Sequence, residues 1–214
     1  MTETLKARGG ASARLSAPAS GRSLRTRGRL VDAARAVLIE NAGAAEIGAI
    51  ARRAGVSAGL AYHHFGSKDG LVAAVVEEFY ARYTRVANAR YEGESWAERE
   101  IQRTRETVLF LVRDPFAPTL FGPLGRSGAV VETEGACMAE LVELGARNIA
   151  QGQADGDLPR QVDAKTAAAF VLGGMRQAVT AALLADPDPD PIQLARTVWI
   201  LIAQSLGLRQ GSHS

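Results

Sequence analysis

The feature that most restricts this chain is a pair of short apolar-periodic segments that meet at Gly55-Val56-Ser57. On the first, Ile47, Ile50, Ala51 and Ala54 share one helical face, and the glycine after them permits the left-handed backbone that ends a helix. On the second, Ser57 stands where an N-cap belongs, and a helix runs to Phe65 before Gly66 breaks it. Two short helices joined by so tight a turn, with Val56 able to plug the angle between them, predict a helix-turn-helix.

Helical spacing continues on both sides, and alternating runs of β-branched residues are absent. A first helix over 24–41 places Leu30, Ala33, Ala34, Val37 and Leu38 on one face, with Gly43 as its C-terminal cap. Ser67 caps a longer helix through Leu71, Val75 and Phe79. Ser95 and Glu98 have capping-box spacing for a helix that continues to Arg113. Pro115 to Gly125 contains three prolines and two glycines, so it holds at most a short irregular helix. A long helix follows over 129–153. Asp163 caps another to Ala185, Asp186–Pro191 reads as a stiff linker, and a last helix covers 192–208. The expected fold is all-α: an N-terminal three-helix helix-turn-helix domain over 24–70 and a larger helical domain over 71–208. A disordered basic arm (1–23) and a disordered tail (209–214) flank them.

The net charge of +2 says little, but its distribution says more. Lys6, Arg8, Arg14, Arg22, Arg25, Arg27 and Arg29 stand against a single acid, Glu3, in the first 29 residues, as a nucleic-acid-facing terminus requires. The Ala/Ser/Gly/Arg composition of the first twenty residues fits either a transit peptide or a disordered arm with too little apolar surface to fold, and the arm is the simpler account. No unbroken run of eighteen apolar residues occurs, and one cysteine, Cys137, allows no internal disulfide, so a cytoplasmic protein is expected. A catalytic function is not expected: there is no Gly-x-Ser-x-Gly, phosphate loop or metal-ligand cluster. His63 and His64 point about 100° apart on a helix and do not form a metal pair. No cofactor is implied.

Ile50-Ala51-Arg52-Arg53-Ala54-Gly55-Val56-Ser57, followed by Tyr62-His63-His64-Phe65, Lys68 and Leu71, resembles the DNA-binding domain of TetR-family transcriptional regulators. The resemblance covers roughly Leu24 to Val72; the rest is similar to the family only in layout. It departs at Glu46, where the family usually has a Thr or Ser cap, and at Leu60, where it often has Thr. The first change weakens a cap by about 1 kcal/mol. The resemblance implies a homodimer that binds palindromic double-stranded operator DNA and is released, as a repressor, by an apolar or aromatic effector. Ligand-independent or architectural DNA binding, and a helical ligand-binding dimer without DNA binding, are the alternatives.

In that reading the helix from Ser57 to His64 lies in the major groove with its N-terminal residues nearest the bases. Ala58 and Gly59 allow close approach, and Leu60 suits a thymine methyl. Tyr62, His63, His64, Lys68 and Arg27 are candidates for contacts along the DNA, chiefly to phosphate. The alternative for Tyr62 is ring packing inside the domain. Arg52 and Arg53 read as solvated surface, Phe65 and Leu71 as core.

In the larger domain, Phe79, Tyr83, Trp96, Phe110, Phe116, Phe121, Met138 and Met175 are candidates to line an effector cavity, with plain core packing as the alternative for each. Arg176 either meets an anionic effector group or projects to solvent, and Cys137 is a redox switch or a small hydrophobe. Small residues on the penultimate helix and an apolar stripe on the last nominate Ala167, Val171, Gly174, Ala178, Ala195, Trp199, Ile202 and Leu206 for a dimer interface. Effector binding would then shift the population toward a dimer whose recognition helices no longer match successive major grooves.

Overall fold

The computed structural model describes residues 21–122, 124–126 and 128–208. The predicted basic arm and C-terminal tail lie outside the described residues, except for positions 21–23. Those three are helical, because neither a proline nor a cap interrupts the chain there and the first helix begins at Gly21 rather than Leu24.

Nine α-helices and no strand occur among the described residues: α1 (Gly21–Glu40), α2 (Ile47–Ala54), α3 (Ala58–Phe65), α4 (Lys68–Ala87), α5 (Trp96–Arg113), α6 (Ala117–Phe121), α7 (Gly128–Asp155), α8 (Ala164–Ala185) and α9 (Pro191–Ser205). A 3-10 turn over Leu124–Arg126 separates α6 from α7. Most starts are set by local chemistry. Ser57, Ser67 and Ser95 accept hydrogen bonds from the backbone N–H groups of Leu60, Gly70 and Glu98 at 3.2, 3.0 and 3.2 Å. Asp163 accepts from Thr166 at 2.8 Å. Pro191 belongs to α9 and not to the linker: Asp190 accepts from Ile192 and Gln193, and a proline at the first helical position gives up no needed donor. The same helix stops at Ser205, short of Leu208, because Gly207 takes a left-handed φ of 71°.

α1, α2 and α3 form a small bundle closed by the first half of α4. Leu30, Ala34, Leu38, Ile50, Ala61 and Leu71 are wholly buried in it. α4 then continues into the larger body, where it packs along α7, while α7 lies against α8 and α5 against α9. Phe79 anchors the start of this body: its ring meets those of Tyr80, Phe110, Phe116 and Phe121 at centroid distances of 5.4 to 6.0 Å.

Two contacts join bundle and body. Gly43, with φ of 91°, lets the turn after α1 approach Leu124 so closely that a Cβ there would lie 3.1 Å from the leucine side chain. Beside it runs a chain of ion pairs: Arg35 on α1 to Glu78 on α4 at 3.5 Å, Glu78 to Arg82 at 3.0 Å, and Arg82 to the buried Asp114.

α8 has the length and mean hydropathy of a membrane span, though Gly, Thr, Arg and Gln interrupt it. Its Ala167, Ala168, Met175 and Val179 are buried in the body, and Phe170 and Leu184 face outward.

Candidate nucleic-acid interface and internal cavity

The turn between α2 and α3 is built as its residues require. Gly55 takes φ of 64°, its N–H donates to Arg52 and the N–H of Val56 to Ala51, and Val56 packs against the core. The Arg29 guanidinium on α1 donates to the carbonyl of Ala54, closing the C-terminal end of α2. At the other end of α2, Glu46 makes no side-chain cap, as its departure from Thr or Ser anticipates.

α3 turns Ala61 wholly into the bundle and half-buries Phe65, which leaves its other face outward. Ser57, Ala58, Gly59, Tyr62, His63 and Lys68 are exposed; Leu60 and His64 are half-buried. Tyr62 is 49% exposed, so its ring is not domain core. A Cβ on Gly59 would find open space, so packing within the chain does not demand glycine there. Arg27 is exposed, with its guanidinium 5.1 Å from the Phe65 ring centroid, held beside the C-terminal end of α3. The His63 and His64 rings meet edge to face at 5.7 Å. Arg53 pairs with Glu40 at 2.6 Å on the surface. The result is a convex face with a positive margin: small residues at the leading end of α3, polar tips along it, and the exposed Arg22, Arg25, Arg27 and Lys68 around it.

Inside the body, α4, α5, α7, α8 and α9 enclose a cavity of about 340 Å³. Its apolar wall includes Leu141, Leu144, Val171, Leu172, Met175, Ile202 and Leu206. Its polar wall carries Tyr83, Asn88, Glu100, Arg103, Thr104, Thr107, Arg147 and Asn148. Trp96 is fixed at one end: its indole N–H donates to the Asn148 carbonyl at 3.2 Å, and its backbone N–H donates to Asp157 at 2.9 Å. Gly152 permits this, since a Cβ there would fall 2.7 Å from the indole.

Of the aromatic and sulfur residues nominated from the sequence, Tyr83, Trp96 and Met175 border this cavity. Phe79, Phe110, Phe116, Phe121 and Met138 do not. Phe116 is wholly buried beside Phe79, Phe121 completes that cluster, Phe110 closes it toward the surface, and Met138 half-buries against the core. Arg176 does not line the cavity, and its side chain is one-third exposed to solvent. It pairs with Glu134 at 2.8 Å and lies 5.0 Å over the Phe121 ring, while Tyr80 donates its hydroxyl to the same carboxylate at 2.6 Å. Burial, then the nearby Glu140, Glu77 and Glu134, raises the Cys137 thiol pKa, which favours the small hydrophobe over a reactive thiolate. Sequence reasoning passed over Thr104, Thr107, Glu100 and Leu141. Their signal was present as a polar stripe on a helix that must also face a core.

The nominated dimer residues divide between the interior and the outward face, where Val171, Gly174, Ala178 and Ile202 border an apolar depression. Ala167, Ala195, Ile202 and Leu206 are buried within the chain, and the last two line the cavity. Trp199 packs on Trp96 at 6.4 Å, Val171 and Ala178 are half-buried, and Gly174 alone of the set is exposed. The outward apolar face also carries Phe170, Ile200 and Leu201, with Leu184 near the end of α8. Phe170, Gly174, Ala178, Val198 and Leu201 border the shallow apolar depression in that face.

Residues 30–75 match the family model described as bacterial regulatory proteins, tetR family. No curated protein matches the chain. Solved structures resemble it over nearly its whole length. The fatty acid degradation regulator FadR of Bacillus halodurans has a TM-score of 0.74 at 19% identity, covering 88% of this chain and 97% of its own. FadR of Bacillus subtilis, solved with stearoyl-CoA, has a TM-score of 0.69 at 19% identity, with coverages of 82% and 96%. SmeT, the repressor of the Stenotrophomonas maltophilia multidrug efflux pump SmeDEF, has a TM-score of 0.70 at 19% identity, with coverages of 86% and 91%. The segment that matches the tetR family model is thus folded as a helix-turn-helix, and the body behind it has the TetR-like fold of these structures.

Proposed function

We propose that the protein is a repressor that binds a palindromic operator as a homodimer and releases it when a small molecule enters the body cavity. The observation that carries this reading is the pairing of an outward α3, free of intramolecular burden on its Ser57–Tyr62 face, with a walled cavity about as large as small ligand sites. SmeT is a repressor and the Bacillus subtilis FadR holds stearoyl-CoA; both facts support the class of behaviour without identifying this protein's effector.

On DNA, α3 enters the major groove with Ala58 and Gly59 against base edges and Leu60 beside a thymine methyl. Tyr62, His63, His64, Lys68 and Arg27 then meet the flanking backbone. Lys68 has an added advantage at the start of α4, where the helix dipole favours anions. Without Arg, Asn or Gln at the tip of α3, much of the discrimination falls to van der Waals fit and DNA shape. The partner protomer covers Phe170, Gly173, Gly174 and Leu201. A Cβ on either glycine meets nothing in this chain, so their value lies in close approach by another.

The test is fluorescence anisotropy with the DNA upstream of the protein's own gene against a scrambled duplex, over a salt series. Saturable, salt-sensitive binding that favours the native fragment is expected. Lys68→Ala should weaken binding to all duplexes alike and lower the salt slope by about 1. Equal binding to both duplexes would favour an architectural role, and no binding would leave a helical ligand-binding dimer.

A further inference from the structure

Between the buried Trp96 and Leu111, the cavity-facing positions of α5 are Glu100, Arg103, Thr104 and Thr107. These stand at i, i+3, i+4 and i+7, the stripe that a helix facing a core fills with apolar residues. Glu100 and Arg103 form an ion pair, and Asn148 donates to Glu100 at 3.0 Å, so these two charges are matched to each other; Arg147, the remaining charge at the cavity, is exposed to solvent. Arg103 is held further by the Ala89 carbonyl at 3.4 Å and by the Tyr91 ring 5.1 Å away.

The two threonines are in a different position. Thr180 and Thr197, on other helices, donate their hydroxyls to the carbonyl four residues back at 2.8 and 3.2 Å. Thr104 and Thr107 are only 3% and 2% exposed and line the cavity, and neither hydroxyl bonds to another described residue. The buried Tyr83 hydroxyl on α4 also lacks a partner, and burial keeps its phenol protonated. Buried hydroxyls normally find partners, because each one left unpaired retains the cost of its lost hydration. The Tyr83 hydroxyl is such a group, and with the two threonine hydroxyls beside it on the cavity wall, opposite an apolar wall, it forms a preset edge for oxygen atoms.

We propose that the cavity takes a compact, uncharged, oxygen-bearing molecule of the phenol or hydroxy-ketone class. Its hydroxyl or carbonyl oxygens meet Tyr83, Thr104 and Thr107, and its hydrocarbon face lies on Leu141, Met175 and Ile202. A buried carboxylate or ammonium is disfavoured because the buried part of the wall holds only the Glu100–Arg103 pair, while Arg147, which also borders the cavity, is exposed and keeps its hydration. This class rests on the cavity being the effector site, and the two can fail separately.

Calorimetric titration of the full chain with four probes on one skeleton tests it: 2,7-dihydroxynaphthalene, naphthalene, 2-naphthoate and 2-naphthylmethylammonium. The diol is expected to bind at least about tenfold tighter than the other three. Tyr83→Phe and the double change Thr104→Val with Thr107→Val should each remove most of that preference and leave naphthalene affinity unchanged. Tyr83→Phe should melt at or above the wild-type temperature, since it removes an unpaired buried hydroxyl. Thr104→Ser should retain the preference, which separates loss of the hydroxyl from damage to the fold. Tighter binding of either ion, or a diol preference that survives both variants, overturns the ligand class while leaving the cavity a binding site. Binding of none of the four overturns the cavity as an effector site and the ligand class with it.

Discussion

The N-terminal bundle and the larger body use the same helices, caps and apolar stripes, yet they differ in how far local chemistry determines their surfaces. In the bundle, a serine three residues from its N–H partner and a glycine at one positive φ fix how α2, α3 and α4 meet. Few faces remain to choose between, and what does not pack is left outward. In the body, each helix has neighbours on several sides, and its inward face depends on partners distant in sequence. A polar stripe can therefore face inward, as on α5, and a phenylalanine near the cavity can serve the cluster behind it.

The comparison can be tested most severely at Phe79, where α4 leaves one region for the other. Phe79→Ala should cost about 3–5 kcal/mol in denaturant unfolding, because its cavity would open among four aromatic rings. A loss below 1 kcal/mol would mean the body repacks freely and the contrast is overstated. Gly43→Ala should cost about 1–3 kcal/mol, since alanine must adopt a φ of 91° while pressing on Leu124. If bundle and body are energetically separate, the change will appear in one unfolding transition only; a single shifted transition would show them coupled.

Alanine at Gly173 and Gly174 offers a test by sign. In a monomer each change should stabilise α8 by about 1 kcal/mol, there being open space at both positions. In a dimer with backbones in close approach they should instead weaken association, visible in sedimentation and in a steeper dependence of melting temperature on concentration. The smallest effect is at the start of α8. Hydrogen bonding from Thr166 holds the Asp163 carboxyl below its ordinary pKa. A depressed folded pKa stabilises above the unfolded value of about 3.9 and is lost as pH falls through it. Wild-type melting should therefore drop slightly more between pH 5 and pH 3 than that of Asp163→Asn, whose amide caps without titrating.

The helical architecture was legible because each cap lies within three residues of its partner, as at Ser57, Ser67, Ser95 and Asp163. The ends of α1 and α9 shifted where nothing local marks a boundary, or where Pro191 reads equally as linker and as first turn. Ser57 to His64 were recognisable as an outward helix for the same local reason. The cavity was not, because bulk and aromaticity identify core and pocket alike, so Phe116 and Phe121 were chosen for the wrong side of Phe79. The outward apolar face was legible in part: Val171, Gly174, Ala178 and Ile202 border its depression, whereas Leu206, on the same stripe as Ile202, lines the cavity.

The ion pair of Glu134 and Arg176, with the Tyr80 hydroxyl on the same oxygen, ties α4, α7 and α8 together around a buried carboxylate. It also limits how this sequence can drift. Losing Arg176 alone leaves a carboxylate that is only 8% exposed, whereas losing Glu134 alone leaves a guanidinium that is one-third exposed and can take up water. The first of these steps is the costly one. Descendants of this protein should therefore lose Glu134 before or together with Arg176, rarely after it, and position 80 should tolerate phenylalanine mainly where Glu134 is gone.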